Sequence, residues 1–533
     1  MRLVRNLGVV SGLTLVSRVL GFFREILTAA RLGAGPVADT FFQAFMIPNT
    51  FRRIFAEGAF NAAFVPLYAR SIEGEGREEA DRFLSEALSF LLTATGMIVI
   101  AFQLAAPWLA YVFFPGLADD PGGMALAALL LQITMPYLAC MALVALIGGG
   151  LNTHGRFAAA AGAPVLLNIF MIAVLAADLW SGPALAVALS ISVTASGVAQ
   201  LLMLIVAGMA ANLKLRLLPP KLTAPVKRLI ALGVPGAIAA GATQINVLLT
   251  ASIATLETGA RSWLNYAERL YQLPLGVIGI AMGVALLPNL ARRVRSGDEE
   301  GGQFALNRSI EISMALTLPA AVAFLVIPGF LVSGLYEWDR FTAADSQATA
   351  LALSAYAVGL PAFVLIKVLS PGFFAREDTK TPMRYAIASM LVNLVLAVTL
   401  FFGGLGYVGL AIASSAAGWV HAALLGRTLG TRGLLRIDAR LAGRMPRLIA
   451  ACAAMGGAVW LAAWAAPVMI DQLDDHVGGA LARIVALFAV VGAGAAVYAG
   501  ACLATGALRI GEFLEAVRPQ RGAAAPPPDF TSP

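Results

Sequence analysis

Ser17-Arg18-Val19-Leu20-Gly21-Phe22-Phe23-Arg24-Glu25, Gly35-Pro36-Val37-Ala38-Asp39 and Pro48-Asn49-Thr50-Phe51-Arg52-Arg53-Ile54-Phe55-Ala56-Glu57-Gly58-Ala59-Phe60 decide how this chain is read. They form two apolar helical stretches joined by a short turn. Yet they carry four arginines, and acids with them, at depths where a membrane-crossing helix is apolar. Each ionised side chain near the bilayer centre costs roughly 2.5–3.5 kcal/mol, so four facing lipid would cost about 10 kcal/mol. Such a set is tolerable only against protein or a water-filled cavity. A cationic cavity inside a membrane protein points to an anionic cargo.

Composition supports the membrane. Of 533 residues, 59% are hydrophobic and 13% charged, where a soluble chain carries about 25% charged residues. Apolar runs of membrane-crossing length recur throughout, so the fold class is an all-α polytopic membrane protein. A β-barrel would show short alternating segments instead. The net charge of +7 does not imply nucleic acid, because the basic residues sit in loops between spans. The three cysteines and three histidines have no disulfide or metal-ligand spacing. The start, Met1-Arg2-Leu3-Val4-Arg5, imitates a signal peptide, but Arg18 and Arg24 interrupt its apolar region. It is read as a retained first span.

Fourteen spans are expected, near residues 6–30, 38–68, 83–113, 124–150, 158–178, 184–207, 227–255, 262–290, 309–335, 347–372, 384–402, 406–426, 446–467 and 479–506. With the N-terminus in the cytoplasm, twenty-seven basic residues fall in cytoplasmic segments. Arg31, Arg261 and Arg340 alone fall in the opposite loops. That asymmetry places both termini in the cytoplasm. The chain also repeats itself. Val4-Arg5-Asn6-Leu7 matches Val226-Lys227-Arg228-Leu229 at an offset of 222, and Pro136 and Asn168 match Pro361 and Asn393 at 225. Six spans per half preserve orientation, which makes the repeat parallel; chance alignment of prolines is the competing explanation. The division expected is a first lobe over 1–208, a second over 209–430, two added spans over 431–510 and a disordered tail over 511–533. The basic segment 425–447 is expected to form an interfacial helix on anionic lipid.

Ser17, Gly21 and Arg24 share one helical face, and Gly21 permits a bend that would bring Arg18 to the same cavity. Asn49, Arg52 and Arg53 lie along one side of the second span. Arg53 and Glu57, at i and i+4, are either cavity groups or a pair that stabilises a helix end; the same choice holds for Arg24 with Glu25. Arg269, in Tyr266-Ala267-Glu268-Arg269-Leu270, faces the first-half arginines or neutralises Glu268 locally. Lys367 stands alone among Val, Leu and Ile, either in the cavity or with its stem snorkelling to the interface. Gly404-Leu405-Gly406-Tyr407-Val408-Gly409 matches a dinucleotide fingerprint but follows no strand, and no Walker A sequence is present. No catalytic grouping stands out.

These residues resemble the MurJ (MviN) family of lipid II flippases. The resemblance is carried by Ser17-Arg18-Val19-Leu20-Gly21 with Arg24, Asp39, Pro48-Asn49, Arg52 to Phe60, Tyr266 to Leu270, and Lys367-Val368-Leu369 with Pro371-Gly372-Phe373-Phe374. It implies the multidrug/oligosaccharidyl-lipid/polysaccharide exporter superfamily: two six-helix lobes plus two helices, alternating access, no enzyme activity and no cofactor. It implies lipid II as cargo, with Arg18, Arg24, Arg52 and Arg269 holding the pyrophosphate. Ser17, Asn49, Arg53 and Lys367 are further candidates, and Asp39 and Glu57 act as gating or pairing acids. It further implies membrane lipids around a monomer in the bacterial inner membrane, with cell-wall synthesis proteins as possible partners. Coupling would be to the membrane potential or a monovalent cation. For a sodium site of the kind some relatives carry, Asn393 is the one ligand the sequence offers. Two rivals remain: a flippase for another polyprenyl-pyrophosphate-linked sugar, and a cation-coupled drug exporter.

Overall fold

The computed structural model describes residues 2–56 and 59–507; over 2–7, 54–56, 59–62, 235–240, 242–243, 277–285, 287–289 and 475–477 it describes the backbone alone. Glu57 and the tail 511–533 lie outside the described residues. The chain folds into α1 (Arg2–Leu32), α2 (Pro36–Ala56), α3 (Ala59–Gly74), α4 (Arg77–Phe113), α5 (Pro121–Thr134), α6 (Pro136–Thr153), α7 (Ala158–Ala177), α8 (Gly182–Ala210), α9 (Ala224–Ala254), α10 (Ala260–Arg295), α11 (Glu299–Val326), α12 (Pro328–Tyr336), α13 (Ala343–Phe374), α14 (Lys380–Leu400), α15 (Gly406–Thr431), α16 (Ala439–Val477) and α17 (Gly479–Ala504). No strand occurs among the described residues. Nine stretches among them are long and apolar enough to cross a membrane by themselves.

Prolines punctuate two of the expected spans. Pro136 opens α6 one residue after α5 ends, and Pro328 opens α12 after Ile327. At the first helical position proline loses no hydrogen bond, so the chain restarts there at a new angle. Polar caps fix other starts: Asp298 accepts from the Gly301 amide at 2.8 Å, and Thr342 with Asp345 forms a reciprocal capping box on α13.

The helix starts reproduce the sequence repeat. Starts at 36, 77, 121, 158 and 182 recur at 260, 299, 343, 380 and 406, offsets of 222 to 224. Five independent starts agree within two residues, which coincidence of prolines does not explain. The halves pack as two lobes. α1 lies on α7 and α7 on α8, while α13 is sandwiched by α10, α11 and α15. Between the lobes, α2, α3 and α4 meet α9, and α2 meets α10. α16 and α17 pair with each other and dock on α11.

That docking corrects the reading of segment 425–447. Instead of a free interfacial helix, α15 runs to Thr431 and α16 begins at Ala439. Arg440 and Arg444 turn onto the buried carboxylate of Glu311 in α11, and Arg308 bridges Glu311 to Asp438. A buried acid attracts these arginines more strongly than a screened lipid surface does.

Candidate functional site

A cavity of about 610 Å³ opens between the lobes, and Ser17, Arg18, Arg24, Asn49, Arg52, Arg53, Arg269 and Lys367 all line it. Six cations from α1, α2, α10 and α13 therefore converge, and Glu25 is the one acid among the lining residues. Helical spacing accounts for the first-lobe set. Arg18 and Arg24 are six residues apart on α1, about 9 Å along its axis, so they stand at two depths of one wall. Asn49 accepts from Arg52 Nε at 2.8 Å, which holds that guanidinium along α2.

Glu25 organises the deep end. Its Oε1 lies 2.6 Å from Arg24 Nη2 and 3.3 Å from Arg269 Nε, which ties α1 of the first lobe to α10 of the second. Arg24 and Glu25 are 8% and 4% exposed, so they are not a pair at the membrane surface. Arg24 Nη1 also donates to Asn168 Oδ1 at 3.0 Å, and Asn168 Nδ2 donates to the Ser17 carbonyl. In the sequence Asn168 stands out only as a repeat position, and Glu25 only beside Arg24, as a cavity group or as half of a helix-end pair. The signal for Glu25 was an acid deep in an apolar span beside an arginine.

Arg18 and Lys367 stand further from this knot, and no hydrogen bond or ion pair joins either to a described residue. Lys367 is exposed to the cavity. Gly276 of α10 makes room for Arg18: a methyl group there would overlap the guanidinium.

Asp39 is outside the cavity and pairs with none of these cations. Its Oδ2 accepts from the Gly259 amide at 2.6 Å, and its Oδ1 accepts from the Ser262 amide at 2.8 Å and hydroxyl at 2.6 Å. An acid at a helix start is where backbone donors are unpaired. Gly259 permits this turn with φ of 86°, a conformation other residues resist, and a side chain there would strike the Trp263 ring. Tyr266 donates to the Gly33 carbonyl at 2.9 Å, Arg31 reaches Asp339 at 3.2 Å, and Gln43 bonds both Ser252 and Arg261. Together these contacts seal one end of the cavity. Arg261 belongs to this seal. It is buried in the first turn of α10 instead of lying in an outer loop, because the Gln43 amide oxygen and the inter-lobe recess accept it.

The second lobe repeats the first without its charge. Adding the 222-residue offset to Arg24 and Thr28 gives Asn246 and Thr250, and 225 added to Asn168 gives Asn393. Asn393 Oδ1 accepts from Asn246 Nδ2 at 3.1 Å and from Thr250 at 3.5 Å, while its Nδ2 donates to Ser414. This set holds no carboxylate, and the oxygen of Asn393 is already engaged. Asn246 Oδ1 is the buried oxygen left over. The described side chains of this set offer neutral oxygens only, without the carboxylate that would favour a cation. Among the described residues no group of His, Cys, Asp and Glu could hold a metal ion.

Two lobes of parallel topology around a shared cationic cavity, sealed at one end by inter-lobe hydrogen bonds, define a membrane transporter of the alternating-access type. A family model described as lipid II flippase MurJ matches residues 28–467. The chain is 44% identical over 532 residues to a probable lipid II flippase MurJ of Rhizobium meliloti, covering 98% of both chains. It is 35% identical to the lipid II flippase MurJ of Burkholderia cenocepacia, covering 81% of this chain and 85% of that one. The chain belongs to the MurJ family of lipid II flippases. A solved MurJ structure in an inward closed conformation shares its fold, with a TM-score of 0.69 at 23% identity over 95% of this chain and 99% of that one. An inward-facing MATE-family multidrug transporter shares it with a TM-score of 0.63 at 17% identity, over 78% of this chain and 94% of that one.

Proposed function

We propose that this protein carries lipid II from the inner to the outer leaflet of a bacterial inner membrane by alternating access. The observation that carries the proposal is the convergence of Arg18, Arg24, Arg52, Arg53, Arg269 and Lys367 on one cavity between two lobes. A pyrophosphate presents several negative charges and many acceptor oxygens, and guanidinium forks match such oxygens bidentately. The undecaprenyl tail stays in lipid while the headgroup crosses. Arg24, Arg52 and Arg269 take the phosphates at the deep end, Arg18 and Lys367 meet the headgroup first, and Asn49, Ser17 and Arg53 complete the wall. Asp39 acts as the gate that keeps the outer end shut. A role for Glu57 as a second gating acid rests on the family resemblance.

The basic loops support cytoplasmic termini, which makes the sealed end the outer one and the described state one that loads from the cytoplasm. The membrane potential then assists. Two negative charges moved outward across a full interior-negative field gain roughly 4–5 kcal/mol per 100 mV. No step is assigned to sodium, and the protein acts as a monomer among membrane lipids. A drug exporter would need acids to attract cationic drugs, and the cavity offers one acid against six cations.

The test is growth of a strain depleted of its own flippase. Arg24→Ala and Arg269→Ala should each fail to support growth at normal expression, and purified protein should move lipid II across proteoliposomes. Full rescue by both variants would overturn the assignment. Stronger binding of a different pyrophosphoryl lipid would shift it to another lipid-linked sugar.

A further inference from the structure

We propose that Arg18 and Lys367 form a charge-operated gate at the loading end of the cavity, held apart by mutual repulsion and drawn together when an anionic headgroup lies between them. The proposal deepens the flippase reading and rests on it for the identity of the anion.

The two residues come from opposite lobes, Arg18 from α1 and Lys367 from α13, and they line the same cavity. Each lies within electrostatic range of the other. Neither has an acid partner among the described residues, whereas Arg24 and Arg269 share Glu25. The cavity thus has two kinds of cation. The deep pair is already bridged across the lobes by a carboxylate. The outlying pair has no bridge, so two like charges line one cavity from opposite sides of the seam.

Their position suits a gate. α1 reaches the sealed end at Gly33, whose carbonyl accepts from Tyr266. Arg18 lies fifteen residues earlier, about 22 Å away along the helix. Gly276, against which Arg18 rests, lies seventeen residues past Gly259 on α10, about 25 Å from the same seal. The like charges therefore sit at the end opposite the hydrogen-bonded one. Repulsion between them favours separation of the lobes there while the cavity holds no anion. A phosphate or carboxylate between them converts one repulsion into two attractions and favours closure. A ligand can shift a two-state equilibrium only by binding one state better, and this pair supplies that difference.

The geometry can be tested by charge reversal in full-length protein in nanodiscs. Cys140, Cys452 and Cys502 are replaced by alanine, and spin labels are placed at the exposed Val9 of α1 and Met383 of α14. Lys367→Glu should raise the short-distance population about tenfold without ligand, because repulsion becomes attraction. Arg18→Glu combined with Lys367→Glu restores like charges and should return the distribution to that of the parent. Undecaprenyl pyrophosphate, the probe, should shorten the distances in the parent protein. The proposal is overturned if Lys367→Glu leaves the distribution unchanged, if the double variant stays as short as the single, or if bound probe moves nothing. Failure to move lipid II with all three responses intact would count against the cargo and leave the gate standing.

Discussion

Replacing Asp39 by asparagine should loosen the seal without touching the cavity. The carboxylate accepts three hydrogen bonds from the start of α10, at 2.6, 2.8 and 2.6 Å. Asparagine keeps one acceptor and turns an amide NH2 toward the other donors, so at least one contact is lost outright and the rest lose their charge. Hydrogen bonds to a charged group contribute about 1.5–3 kcal/mol each. A loss of about 2–3 kcal/mol, the equivalent of one such bond, shifts the balance between sealed and open states by about 30- to 150-fold. The assay is labelling of a single cysteine introduced at Phe45 by a membrane-impermeant maleimide added outside intact cells. Phe45 is buried and lines the cavity, so the label reports opening of the outer end. Asp39→Asn should label many times faster than its parent, and Ser262→Ala, which removes one of the three donors, should fall between them. Equal labelling of Asp39→Asn and its parent, at equal expression and thermal stability, would refute the reasoning.

Other outcomes follow from the same contacts. Glu25→Gln frees Arg24 and Arg269 from their bridge, so binding of undecaprenyl pyrophosphate should tighten by about tenfold while export slows; weaker binding would contradict the bridge. Glu311→Gln leaves Arg308, Arg440 and Arg444 without their buried partner. Breaking a buried pair costs about 3–5 kcal/mol, so the melting temperature should drop while lipid binding by the folded protein is retained. Outside the membrane, the Arg432 hydrogen bond, with the Thr381 backbone and hydroxyl, holds Asp378 down to about 2. Because that value lies below the ordinary carboxylate value, the pair's contribution is fully present above about pH 4 and is lost as pH falls toward 2. Thermal melts of Arg432→Gln and its parent should therefore differ by the same amount at pH 5 and pH 8.

Much of this was legible from residue types and spacing. Arginines in apolar helices announce a cavity because lipid cannot hold them, and the six cations do meet there. The repeat was visible in a few short matches, and the helix starts extend it over both halves. What stayed hidden depends on packing angles that spacing does not encode. Arg261 follows a glycine turn and looks like a loop residue until Gln43 of the other lobe is seen to accept it. Asp39 looked like a partner for the cavity cations, but the start of α10 lies nearer and offers backbone donors. Glu25 could be read as no more than a helix-end partner for Arg24, because its second partner, Arg269, is 244 residues away. The basic residues in the first turns of α16 looked lipid-bound because nothing in the sequence says that Glu311 is buried beside them.

The matched sockets at Arg24 with Asn168 and at Asn246 with Asn393 have a consequence for how a headgroup rides. Duplication supplied two equivalent seats, one in each lobe, but only the first carries a charge and only the first opens on the cavity. Four of the six cavity cations stand on α1 and α2 and two on α10 and α13, so the field at the centre leans toward the first lobe. A diphosphate held there would sit off-centre, gripped more firmly by the half that kept its arginines than by the half that lost its counterpart of Arg24.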